Sequence, residues 1–222
     1  MNNTVSFEDI KNSSEIRTYI ARADETLSAL GYSEHSFTHV TKCSSVAYDL
    51  LTALEFEPRT CELARIAGFM HDIGNVINRS DHAHSGAILA FRLLEKMGMQ
   101  PEEIATVVQA IGNHDEKTAV VVNAVGAAVI LADKSDVRRS RVRNRDATKF
   151  DIHDRVNYAV ECSVLKLELE KQSVTLQLSV NSEICPAMEY FEIFTQRMLL
   201  CRRAANFLGL TFHLRMNDVT LL

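Results

Sequence analysis

The sequence predicts a mostly α-helical body followed by a small α+β element. Three observations carry that reading. Apolar residues recur at three- and four-residue spacing up to about residue 137, the alternation switches to period two beyond residue 150, and proline or glycine stands at most of the breaks.

Taken in order, Ile16, Ile20, Ala23, Leu27 and Leu30 share one face of a helix expected over 13–30, which Gly31 terminates. The next helix begins near 33 or 36 and runs to about 56, with His39, Cys43, Val46, Leu50 and Leu54 at helical spacing, so His39 lies on or beside the buried stripe. Pro58 ends that segment, and a further helix runs to the His71-Asp72 pair just before Gly74, read as a helix-stopping glycine. A loop through Asn78, Arg79, Ser80 and Asp81 leads into a helix over 82–97, stopped by Gly98. Pro101-Glu102-Glu103 opens another, extending to about His114, because proline suits the first helical position and the carboxylates complement the positive end of the dipole. The apolar segment from 122 or 123 to about 137 is rich enough in valine to suit a strand, but its length favours a helix carrying Val125, Val129, Ala132 and Asp133.

Past residue 150, Leu165, Leu167 and Leu169 alternate with Lys166, Glu168 and Glu170, and Val174, Leu176, Leu178 and Val180 alternate with polar residues. Around the polar turn Lys171-Gln172-Ser173 this predicts an antiparallel hairpin. Pro186 opens a long helix whose stripe is Met188, Phe191, Phe194, Met198, Cys201, Ala205 and Leu208, closed by Gly209; residues 210–216 alternate again and are a candidate third strand. No repeat, low-complexity run or flexible linker interrupts the chain, so a helical body over 1–150 is expected to carry an α+β element over 151–222 packed on it.

A length of 222 residues suits one domain with an appended element, and 46% hydrophobic with 24% charged residues is a globular composition. The formal net charge of −5 argues against a broad nucleic-acid footprint, while the basic run from Lys134 to Arg145 could attract a single phosphate group. Five cysteines without a C-x-x-C pair read as reduced core thiols. No cationic leader precedes an apolar core and no stretch reaches the roughly 18 to 20 apolar residues of a membrane span, so a cytoplasmic protein is expected. No glycine-rich phosphate loop, Walker motif or G-x-S-x-G elbow is present, which weakens kinase, ATPase and serine-hydrolase readings.

The chemistry concentrates at His71-Asp72, where an imidazole and a carboxylate offer two metal ligands from one turn of backbone. Other candidate ligands surround the pair: His39 upstream, His82 and His84 soon after, His114 later, and Asp133 within an apolar run where an unpaired carboxylate would be costly to bury. This ordered set, in the contexts AGFMHDIG, HAHSGAILA, IGNHDE and VILADKSD, resembles the HD superfamily of metal-dependent phosphohydrolases over residues 33 to 140. Within it the chain looks most like the members with two extra histidines and two metal ions. It departs from the cyclic-dinucleotide phosphodiesterase branch, having no Gly-Tyr-Pro signature between Asn113 and Lys134 and Asn75 where that branch carries a lysine.

The resemblance implies a helical HD bundle with metal ligands His39, His71, Asp72, His82, His114 and Asp133, with a helical aspartate at 133. His82 is selected by its place four residues before Gly86-Ala87; His84 stays open as a rival ligand, and Asp115 and Glu116 are read as neighbouring or surface carboxylates. Asp72 is the natural bridge between two divalent ions, since one carboxylate can touch both, and is therefore the expected catalytic residue. Mixed imidazole and carboxylate ligation favours Fe or Mn, with Zn or Co also compatible. The implied activity is cleavage of a phosphoester or phosphoanhydride of a nucleotide or small phosphorylated metabolite by a metal-bound hydroxide. Arg79, Lys134, Arg138 and Arg141 are the candidate phosphate-binding residues. Hydrolysis of a dinucleoside polyphosphate, a metal-binding sensor or interaction module without turnover, and a di-iron oxygenase are the alternatives. The expected partner is a small phosphorylated substrate, with no extended nucleic acid and no membrane; monomer and homodimer both stay open.

Overall fold

The computed structural model describes residues 4–144, 146–217 and 219–221. Helix starts follow local capping chemistry. α1 (Phe7–Asn12) opens on a capping box in which Ser6 Oγ accepts from the Asp9 amide while Asp9 Oδ2 accepts from the Ser6 amide. Ser13 caps α2 (Ser14–Ala29) and Ser36 caps α3 (Phe37–Ala53). α4 (Pro58–Met70) and α6 (Pro101–Gly112) begin at prolines, and α5 (His82–Met97) ends at Gly98 with φ 84°. Asn123 caps α7 (Ala124–Lys134), accepting from the Gly126 amide at 2.7 Å.

α7 is the centre of the body. Every residue from Val125 to Lys134 is buried, and the helix packs on α3, α4 and α6. That full burial explains its near-continuous apolar sequence, which carries no amphipathic stripe. α5 packs on α6, and α3 on α4.

One short helix carries no signal in the sequence, and one local expectation is corrected. α1 was not anticipated, because a six-residue helix with only Phe7 and Ile10 buried shows no period. As expected, α4 runs to the His-Asp pair, ending at Met70 with His71 as its cap, and Asp72 (φ −94°, ψ 3°) leads into a 3₁₀ turn, Ile73–Val76. Gly74 is not a left-handed helix stop; it lets this turn touch α5, since a Cβ there would lie 2.0 Å from the His82 carbonyl oxygen.

α8 (Ile152–Ala159), capped by Asp151, was also unforeseen and feeds β1 (Val160–Glu168). β1 pairs antiparallel with β2 (Ser173–Val180), Leu165 opposite Leu176, as the alternation predicts. α9 (Ala187–Phe207) then carries the chain back so that β3 (Thr211–Met216) joins β2 in parallel, and β4 (Val219–Thr220) pairs with β3. The four-stranded sheet buries Val174, Leu176 and Leu178 with Phe212, Leu214 and Met216 on one face. α9 packs against α7, and a single apolar core runs from Val5 to Met216 across both parts of the chain. No helix among the described residues is long and apolar enough to cross a membrane.

Candidate metal centre

Five helices and one turn bring six side chains to one point. His39 comes from α3, His71 from the end of α4, Asp72 from the turn after it, His82 from the first position of α5, His114 from just beyond α6, and Asp133 from α7. Each imidazole is held by its outer nitrogen. His71 Nδ1 faces the Gly68 carbonyl at 2.9 Å, His82 Nδ1 the Arg79 carbonyl at 3.1 Å, His114 Nδ1 the Ile111 carbonyl at 2.6 Å, and His39 Nδ1 the Asp136 carboxylate at 2.8 Å. These partners are acceptors, so Nδ1 carries the proton and the Nε2 lone pair points inward.

The lone pairs face one another in pairs, His39 and His71 Nε2 at 3.3 Å and His82 and His114 Nε2 at 3.1 Å. Asp72 stands between them. Its Oδ2 lies 3.2 Å from His71 and 3.5 Å from His39, and its Oδ1 lies 3.4 Å from His82 and 3.8 Å from His114. Asp133 Oδ1 completes the first group, 3.4 Å from His39 and 3.7 Å from His71. Buried lone pairs and carboxylates at such separations repel unless positive charge lies among them, so the donor set fits divalent cations. Its geometry divides into His39, His71, Asp133 and Asp72 Oδ2 on one side, and His82, His114 and Asp72 Oδ1 on the other. Cys43, with Sγ 3.7 Å from both ring nitrogens of His39, adjoins the first group.

The electrostatics agree with that need. Burial opposes charge on His71, yet the Asp72 and Asp133 carboxylates outweigh it and lift its pKa to about 10. Burial would raise Asp72, but the surrounding histidines, His71 foremost, hold its carboxyl well below the usual range. His82 goes the other way: burial and the neighbouring His114 push its pKa down to about 3, leaving it neutral and able to ligate.

Asp136 and Asn75 hold this arrangement from behind. Asp136 is fully buried, orients His39, and is itself paired with Lys42 at 2.8 Å and Arg138 at 3.0 Å. Asn75 Nδ2 donates to both the backbone oxygen and Oδ1 of Asp72, each at 2.9 Å. Sequence reading gave neither a role, although Asp136 stands one helical turn after Asp133, a spacing that could have pointed to it. His35, also not singled out, lies 4.0 Å from Asp72 Oδ2.

A cavity of about 390 Å³ opens onto the cluster. Among the expected phosphate-binding residues, Arg79, Lys134 and Arg141 line it. Arg79 Nη1 is 3.8 Å from Asp72 Oδ1 and 3.3 Å from His82 Nε2. Lys134 is buried, with Nζ 2.6 Å from Asp133 Oδ2 and 3.4 Å from Glu116 Oε2. Arg141 donates to the carbonyls of Glu34 and Asp136 at 2.8 and 2.7 Å. Arg138 is not among the lining residues; its guanidinium is engaged by Asp136, Glu34 and Ser140. Glu116 pairs with Arg197 of α9 at 2.9 Å, fastening the C-terminal element to the cavity wall.

His84 points elsewhere: its side chain is 56% exposed, with Asp81 Oδ1 3.9 Å away as its ion-pair neighbour. His84→Ala should therefore leave metal content unchanged, whereas His82→Ala should deplete one ion and leave the other partly bound. Elemental analysis of the two purified variants checks this, and depletion in His84→Ala alone would reverse the ligand assignment.

The residue pattern, now seen folded into one cluster, resembles that of the HD superfamily. No family model matches the chain. An uncharacterized protein from Methanocaldococcus jannaschii is 24% identical over 201 residues, covering 80% of this chain and 76% of the relative. A crystal structure described as a predicted HD superfamily hydrolase, from an uncultured Thermotogales bacterium, shares 25% identity over 56% of this chain and 67% of its own, with a TM-score of 0.44. The chemistry rests on the geometry of the cluster itself and not on these likenesses.

Proposed function

We propose that this chain is a metal-dependent phosphohydrolase, cleaving a phosphoester or phosphoanhydride of a nucleotide or other small phosphorylated metabolite. The observation that supports the reading best is the division of the two Asp72 oxygens between two histidine pairs, the arrangement a bridging carboxylate requires. His39, His71 and Asp133 would hold one ion and His82 and His114 the other, with Asp72 shared. When bound, divalent ions supply Lewis acidity that activates water and neutralises phosphoryl oxygens. Fe or Mn suits the mixed imidazole and carboxylate set, and Zn or Co is compatible with it.

The chain's own groups do the rest. Arg79 presents a planar guanidinium beside Asp72, able to engage a phosphate with two parallel hydrogen bonds. Lys134 adds a buried point charge at the cavity wall, and Arg141 adds a guanidinium fixed by two backbone carbonyls. Asn75 and Asp136 keep Asp72 and His39 in orientation as substrate enters.

The test is metal analysis of protein supplied with Mn or Fe, followed by a screen of phosphorylated compounds for phosphate release. About two ions per chain with turnover is the expected result. Metal binding without turnover on any phosphorylated compound would instead favour a sensor module or an oxygenase. Once a substrate is known, Arg79→Lys should lower kcat/KM about tenfold with metal content unchanged, since a fork becomes a single ammonium. Arg138→Lys, outside the cavity, should stay within about twofold. The opposite ranking in steady-state kinetics would remove Arg79 from phosphate recognition.

A further inference from the structure

His35 lines the cavity beside the metal cluster and presents an unpaired acceptor to it. It stands in the segment joining α2 to α3, four residues before His39, and is not one of the six clustered side chains. The backbone there is held in place: Asp24 Oδ1 accepts from the His35 amide at 2.9 Å, and the Arg141 carbonyl accepts from the Glu34 amide at 2.8 Å. The ring packs T-shaped against that of His39, with centroids 5.3 Å apart, and the side chain is only 11% exposed.

Its orientation repeats that of the clustered imidazoles. Nδ1 faces the Ser33 carbonyl at 2.7 Å, so Nδ1 carries the proton and Nε2 holds a lone pair. Burial and the Arg141 guanidinium keep the ring neutral, with a pKa well below the usual histidine value. Among the described residues no donor reaches Nε2; Asp72 Oδ2, 4.0 Å away, is itself an acceptor. Two acceptors at that separation have room for a water between them, since its oxygen can lie ~2.8 Å from each. The same Asp72 oxygen faces His39 and His71, so this gap adjoins the first ligand group. Arg79, Lys134, Arg141 and Arg197 line the cavity too, but they can only donate and offer a water no acceptor.

We propose that His35 is a further catalytic residue, whose Nε2 accepts a hydrogen bond from the attacking water and holds that oxygen until it leaves as part of the phosphate product. The water oxygen bonds to phosphorus, the bond from phosphorus to the leaving oxygen breaks, and one water proton goes to that leaving oxygen. The other proton stays on the new phosphate oxygen and points at His35 throughout, so His35 neither gains nor loses a proton. This rests on the phosphohydrolase reading and adds to it a residue outside the metal ligands.

Hydrogen phosphate and sulfate separate this role from charge attraction. At mildly alkaline pH both are tetrahedral dianions, but only phosphate carries an O–H. Calorimetric titration of Mn-loaded protein with each anion compares wild type with His35→Leu and His35→Gln. His35→Leu should weaken phosphate binding about tenfold, as for one lost hydrogen bond, and sulfate binding clearly less, with Mn content unchanged. His35→Gln, whose amide oxygen can accept, should retain most of the phosphate affinity. Equal weakening of both anions, no change in either, no phosphate binding by wild type, or loss of Mn from His35→Leu overturns the assignment. Selective phosphate binding without turnover of any phosphorylated compound would keep the acceptor and count against the phosphohydrolase reading alone. Should His35→Leu fail to fold by circular dichroism, His35→Phe takes its place with the same expected ranking.

Discussion

Asp72→Ala is expected to abolish phosphate release and to lower metal content at both positions. The side chain is buried, and each oxygen faces a different histidine pair, so one truncation removes a donor from each group. It also leaves four inward lone pairs without the carboxylate that holds positive charge among them, a stronger perturbation than loss of any single histidine. Activity should fall to background, beyond the roughly 10–100-fold typical of changes behind a metal ligand. Phosphate-release kinetics and elemental analysis on the same preparation check both halves. Full turnover in this variant would end the proposed mechanism. Normal metal content with no turnover would keep Asp72 in the chemistry while removing it as a shared ligand.

Gly74→Ala should be nearly as damaging although it adds one methyl group. The new Cβ would lie 2.0 Å from the His82 carbonyl oxygen, 2.4 Å from the Gly86 nitrogen and 2.8 Å from the Gly86 Cα. All three are backbone atoms, so no rotamer relieves the overlap. The turn carrying Asp72 must separate from the helix carrying His82, at a cost of about 3 kcal/mol or more. A lower melting temperature and selective loss of the His82 and His114 ion are the expected signs. Gly112→Ala is the control, because its Cβ would meet only the Ala87 side chain at 3.5 Å, an ordinary contact. Equal melting temperatures for wild type and Gly74→Ala would mean that the turn and α5 are not held as closely as described.

Much of this site is legible in the sequence. His39, His71, Asp72, His82, His114 and Asp133 were marked out by residue type and context, and the structure gathers all of them. Their elements were legible for the same reason: α3, α5 and α6 carry amphipathic stripes bounded by proline, glycine or a hydroxyl cap, which are local signals. Period two in β1 and β2 is equally local, and it pointed to the antiparallel hairpin, while the pairing of Leu165 with Leu176 comes from the structure.

What sequence could not decide depends on which surfaces meet. His82 and His84 are equivalent as residue types two positions apart; only the packing of α5 on the turn after α4 buries one and exposes the other. Arg138 and Arg141 belong to one basic run, yet Asp136 and Glu34 draw the first away while the second lines the cavity. The parallel addition of β3 to β2 follows from the return of α9 across the body, which strand alternation cannot reveal. Asp154, Asn157 and Arg197 enter the cavity from segments remote in sequence from the histidine cluster, because α9 packs on α7 and α8 packs on α9 and the Arg139–Arg141 turn. Residue chemistry and local periodicity thus determined the helices, the hairpin and the ligand types, since these depend on neighbours along the chain. The choice between rival ligands, the direction of each arginine and the second wall of the cavity were decided by tertiary contacts, because burial and charge pairing depend on neighbours in space.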